Sequence, residues 1–111
     1  MAEARLLGTR EISEGAVRLV AIDFQDDLDE GELLTGTPSV DELYTSGLTI
    51  TNKVVNTSTI EVKGRDCDAG TAVQFLVQGQ TSGSSYRVQI KATTDSTPAQ
   101  TIPGDVILNC V

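Results

Sequence analysis

The chain has no histidine and no tryptophan, two cysteines, and four aromatic rings in all, Phe24, Phe75, Tyr44 and Tyr86. Without histidine it lacks the commonest general base, the usual nucleophile–imidazole pairs and the commonest transition-metal ligand. No Walker loop, GxGxxG or GxSxG occurs, and two cysteines outside any CxxC pair do not make a four-thiolate zinc site within one chain. These absences point away from an enzyme and leave no residue to name as catalytic, cofactor-binding or metal-ligating. Cations are also scarce, with 8 Lys and Arg against 16 Asp and Glu and a net charge of -8. Phosphate backbones are bound by clustered cations, so nucleic acid is not an expected partner. An acidic surface suits either a basic protein partner or simple solubility. No apolar run reaches the roughly 18–20 residues that cross a bilayer, and the opening MAEARLLGTREISEG lacks the pattern of a signal peptide. The expectation is a protein made in the cytoplasm, with no membrane among its partners.

What the chain does have is alternation. In SGSSYRVQIKATT, residues 82–94, Tyr86, Val88, Ile90 and Ala92 fall on one side and Arg87, Gln89, Lys91 and Thr93 on the other. That is the period of a strand with one buried and one wet face, and it requires a sheet behind it. At 111 residues the chain suits one domain, and so few rings leave the core to Val, Ile and Leu, which favours β packing. Residues 1–13 are mixed in character and read as either an N-terminal arm that orders against a partner or a first edge strand; residues 14–111 make up the domain proper. Residues 16–24 (AVRLVAIDF) are apolar on both faces, as in a strand inside a sandwich or one covered by the segment before it. Residues 25–38 (QDDLDEGELLTGTP) read as an exposed connection.

Strand patterns then recur at 39–44, 48–55 and 59–62; RDCDAG turns the chain into 71–78, with Val73, Phe75 and Val77 inward. TTDSTPAQ reads as a polar loop before a last strand at 105–111, with Val106, Leu108 and Cys110 on one face. The sum is about seven or eight short antiparallel strands with turns between them and no amphipathic helix, the pattern of an all-β sandwich. Tyr86 follows a Gly/Ser turn, where it either anchors a corner through its hydroxyl or simply starts a strand half-buried.

The group most like a site is acidic: Asp23, Asp26, Asp27, Asp29, Glu30 and Glu32. Clustered carboxylates suit calcium, yet an EF-hand frame starting at Asp27 puts Gly31 where the fifth-position ligand belongs and Pro38 where the closing glutamate belongs. A solvated acidic loop is the simpler account. Leu33 and Leu34 lie inside this charged stretch as contact residues or as a plug under the sandwich end. Cys67 and Cys110 form one bridge or stay thiols, and synthesis in a reducing compartment favours thiols.

Taken in order, EGAVRLVAIDFQDDLDEGELLTGTPSV, LTITN, GTAVQFLVQGQTSGSSYRVQIKATT and a closing strand resemble the small immunoglobulin-like virion structural proteins of tailed bacteriophages, of the head decoration (cement) or head-fibre type. The similarity covers about residues 14–111. It is most distinctive at Asp23-Phe24 before the acidic turn, at Leu34 through Pro38, and from Val77 and Gly79 to Tyr86. The resemblance implies an immunoglobulin-like β-sandwich and a non-enzymatic protein on the capsid exterior. It would bind the major capsid protein, stabilise the shell, and act as a homo-oligomer, such as a trimer at threefold positions. Contacts with the capsid are then expected from Arg5, Leu6, Leu7 and Arg10 and from Leu33 and Leu34. Two alternatives stand beside this reading: a head-tail connector or tail component, and a glycan-binding adhesion module, which so few aromatic rings disfavour.

Overall fold

In the computed structural model, which describes residues 3–111, the alternating run Ser85–Thr94 becomes β8, an inner strand of a four-stranded sheet. It lies between β3 (Leu34–Leu43) and β9 (Thr101–Cys110), antiparallel to both, and β1 (Leu6–Ile12) completes the order β1-β9-β8-β3. Facing it is a three-stranded antiparallel sheet of β2 (Arg18–Asp23), β7 (Ala72–Gln78) and β4 (Thr49–Val55), in the order β2-β7-β4. Two short strands, β5 (Ile60–Val62) and β6 (Arg65–Cys67), form a separate hairpin. The fold is all-β, an immunoglobulin-like sandwich of four strands on three with an added hairpin.

Alternation places the core. From the larger sheet, Val88, Ile90, Val106 and Leu108 point inward; from the smaller, Val20, Ile22, Val73, Phe75 and Val77 meet them, with Phe24 closing one end. The Tyr86 hydroxyl accepts a hydrogen bond from the Thr81 backbone N–H at 2.8 Å, so the ring starts β8 and also ties back the turn before it. A hydroxyl satisfied in this way makes a corner that an apolar ring cannot. Gly79, at φ +90°, sits so close to Gly47 that an added Cβ would lie 2.8 Å from its carbonyl oxygen, and only glycine fits there. Both cysteines are buried free thiols in separate clusters, Cys110 in the main core and Cys67 beneath the hairpin.

Several details differ from the sequence reading. Among the described residues there are nine strands, and β1 runs parallel to β9, from Leu6 beside Asp105 to Ile12 beside Cys110. Parallel neighbours need a long crossover, and nearly the whole domain lies between these two. Residues 6–12 are therefore sewn into a sheet edge, while residues 1 and 2 lie outside the described residues. β3 begins at Leu34, inside the stretch read as a connection, because a register shift between Thr35 and Ser39 breaks the alternation around Gly36 and Pro38. On the outer face of β2 only Ala21 is covered, by the β5–β6 hairpin, where Ile60, Val62 and Cys67 pack with Ala21 and Ala72, while Leu19 stays exposed.

Candidate functional site

The two sides of the sandwich are unlike. At one, β3 and β4 pack together; at the other, β1 and β2 belong to different sheets and touch little. A cleft of about 620 Å³ opens on that side, walled by residues 7–10 of β1, residues 19–23 of β2 and the β5–β6 hairpin. Its apolar surface comes from Leu7, Leu19, Ala21 and Ile60, and its floor from the core residues Val20, Ile22 and Val106.

A buried polar lock positions the β1 wall. Asp105, fully enclosed, accepts the Ala4 backbone N–H at 3.0 Å and the Arg87 Nε at 2.6 Å through Oδ2. Arg87 Nη2 in turn donates to the Ala4 carbonyl at 3.0 Å, and the Asp105 amide donates to the Arg5 carbonyl at 2.9 Å. The segment entering β1 is thus fixed, which sets Arg5 and Leu7 at the cleft. Leu7 reaches in because Gly104 has no side chain: a Cβ there would fall 2.3 Å from Leu7 Cδ1.

The charges around the cleft are arranged unevenly. Arg65 donates to both Asp26 carboxylate oxygens, at 2.9 and 3.0 Å, and lies 3.6 Å from Asp23. That guanidinium, by hydrogen bond and by charge, holds the Asp26 carboxyl below its ordinary value. Arg5 pairs with Asp27. Arg10 instead gives Nη1 to the Leu19 backbone carbonyl at 2.5 Å, and the Lys63 ammonium lies over Gly8, where an added Cβ would come within 2.4 Å of Nζ. Among the described residues neither Arg10 nor Lys63 has a carboxylate within 4.0 Å. Four of the chain's eight cations line this cleft beside three carboxylates, Asp23, Asp26 and Glu61, in a protein of net charge -8.

Of the six residues expected as contacts, three meet here: Arg5, Leu7 and Arg10. Leu6 is exposed on the same strand but does not line the cleft. Leu33 sits elsewhere, against Gly70, with its amide bonded to Asp95 Oδ1 at 3.0 Å. Leu34 is corrected from a contact to a core residue: 5% exposed, it starts β3 with its amide on the Gly70 carbonyl at 2.8 Å. Of the acidic cluster, Asp23 and Asp26 pair with Arg65 and Asp27 with Arg5, while Glu32 accepts the Asp29 backbone N–H, and among the described residues no three His, Cys, Asp or Glu side chains are grouped to hold a metal. Leu19, Ala21, Ile60, Lys63 and Arg65 complete the cleft from outside the expected contacts, and the apolar outer face of residues 16–24 is the one sequence signal that points to them.

No protein-family model matches the chain. No curated protein matches it either. Among solved structures it is similar to a nucleoside hydrolase-related hypothetical protein from Saccharophagus degradans that is associated with carbohydrate metabolism, at a TM-score of 0.54 and 15% identity. The similarity covers 99% of this chain and 23% of that one, so the chain spans less than a quarter of the other protein's length. At that identity the likeness speaks to the sandwich fold and to nothing further.

Proposed function

We infer that this protein is a non-enzymatic structural component of a tailed-bacteriophage virion, a decoration protein that binds the outside of the capsid shell and stabilises it. The observation that carries the reading is the one-sided opening of the sandwich, where two strand edges flank a cleft with an apolar surface and a rim of mixed charge. Unpaired strand edges flanked by apolar and charged side chains suit attachment to another protein's backbone. Many copies on a symmetric lattice reinforce a shell even where each contact is modest, and grouping as trimers at threefold positions fits that use. A glycan-binding module, which the carbohydrate association of the similar structure brings to mind, is less well supported, because among the described residues no aromatic ring lines the cleft for a sugar to stack on.

The test is co-sedimentation of the purified protein with capsids stripped of accessory proteins, followed by imaging of the particles. Saturable binding to the shell at a fixed ratio to the capsid protein, with improved resistance to heat, is the expected result. Density at the neck or tail and none on the shell would replace this reading with that of a head-tail connector or tail component.

A further inference from the structure

The register of β2 shows which of its backbone groups are already used. Phe24 donates to the Thr71 carbonyl at 2.9 Å, next to the Asp23–Ala72 pair, so the even-numbered residues Arg18, Val20 and Ile22 exchange hydrogen bonds with β7. The odd-numbered residues Leu19 and Ala21 then turn their N–H and C=O groups away from β7, toward the cleft. The Leu19 carbonyl confirms that direction, since the Arg10 guanidinium reaches it across the opening. No backbone group of β1 pairs with β2. Arg10 therefore guards one position of an otherwise open strand edge, and a charged side chain on an edge is a common way to keep unwanted strands off.

Resting on the reading that the protein attaches to another protein through this cleft, we propose that the occupant is one extended segment of that partner, added as a strand to the free edge of β2, with carboxylates alternating with apolar side chains. The backbone supplies pairing through Leu19 and Ala21. Apolar side chains of the incoming strand meet Leu19 and Ile60 on the outer side, and its carboxylates meet Arg10 and Lys63, the two cleft cations with no carboxylate within 4.0 Å among the described residues. On docking, Arg10 releases the Leu19 carbonyl to the incoming N–H and turns to a carboxylate. A basic or purely apolar strand leaves those cations unanswered, so selection follows from charge as well as from pairing.

A blocked peptide of about nine residues alternating valine and glutamate, long enough to run the length of β2, serves as the probe. Amide NMR spectra of the intact protein are expected to show Leu19 and Ala21 shifting and exchanging more slowly, with the β3 and β4 edges unmoved. Replacing glutamate by lysine, or N-methylating alternate residues of the peptide, is expected to abolish binding. Lys63→Glu should weaken it about tenfold, and Ala21→Pro, which removes an outward N–H and no β7 bond, should prevent it. The inference is overturned if the lysine or N-methylated peptide binds as well as the probe, if the shifts map to another edge, or if none occur at millimolar peptide. Shifts at Leu19 and Ala21 that grow with protein concentration alone would overturn it in favour of a second copy. Should Ala21→Pro fail to fold, the N-methylated peptide and Lys63→Glu still decide. Peptide binding without shell binding sinks the virion reading and leaves this one standing; shell binding that survives Lys63→Glu and Ala21→Pro does the reverse.

Discussion

Arg87 and Asp105 are diagonal neighbours on β8 and β9, and the 2.6 Å contact between Nε and Oδ2 seals a carboxylate that no solvent reaches. The pair also holds both backbone groups of Ala4, so it couples the sheet interior to the start of β1. An enclosed ion pair is costly to break from one side, because the remaining charge is left without an answer. Arg87→Met should therefore lower the urea midpoint far more than Arg87→Met combined with Asp105→Leu, measured by fluorescence or circular dichroism. Deleting residues 1–13 should lower it too, since the deletion removes β1 and the Ala4 amide together.

Adjacent leucines should behave oppositely. Leu34 is a core residue and Leu33 is partly exposed over Gly70. Leu34→Ala should cost about 2–5 kcal/mol, and Leu33→Ala about 0.5 kcal/mol, in equilibrium denaturation. Equal losses would contradict the placement of β3.

Asn56 is a small polar hub. Its amide nitrogen donates to the carbonyls of Ser58, Cys67 and Asp68, and its oxygen accepts from the amides of Gly70, Thr71 and Ala72. Asn56→Ala would orphan several of these backbone groups at once in a buried site and should destabilise by about 3 kcal/mol or more. Asn56→Asp keeps the acceptor and loses the donors, so it should fall between the two. The β5–β6 hairpin is the expected first region to lose amide protection in hydrogen exchange.

The thiols set an alkaline limit. Burial pushes both Cys67 and Cys110 up from the ordinary thiol value, with the Asp23 charge adding to the effect at Cys67 and Glu14 at Cys110. A raised folded value means that the contribution to stability is complete below the unfolded thiol value of about 8.5 and declines as pH rises above it, because the unfolded chain ionises first. Stability measured from pH 7 upward should therefore fall beyond about pH 8.5, and the double variant Cys67→Ala, Cys110→Ala should flatten that slope. A thiol reagent at neutral pH should label neither cysteine in the folded protein and both in urea.

The inner strands were readable from the sequence wherever burial imposed a period of two: Val73, Phe75 and Val77, Val88, Ile90 and Ala92, and Val106 and Leu108 all lie where alternation put them. Strand ends were lost where the backbone leaves that period. The irregular step at Gly36 and Pro38 hid the first half of β3, and Pro103 with Gly104 hid the first half of β9. The parallel pairing of β1 with β9 leaves no local mark, since it is decided between residues some hundred positions apart. For the same reason only one wall of the cleft was legible: Arg5, Leu7 and Arg10 are neighbours in sequence, whereas Leu19, Ala21, Ile60 and Lys63 join them only through the sheets' closure.

Because β1 and β9 run side by side in the same direction, the entry to one and the exit from the other lie at opposite ends of the sheet, with Val111 bonded beside Ile12 and far from Leu6. Tension between those two ends drags the strands past each other lengthwise, so all their cross-links bear the load together, whereas an antiparallel arrangement would peel open one link at a time. A fold wired in this way resists stretching along the direction of β1 and β9.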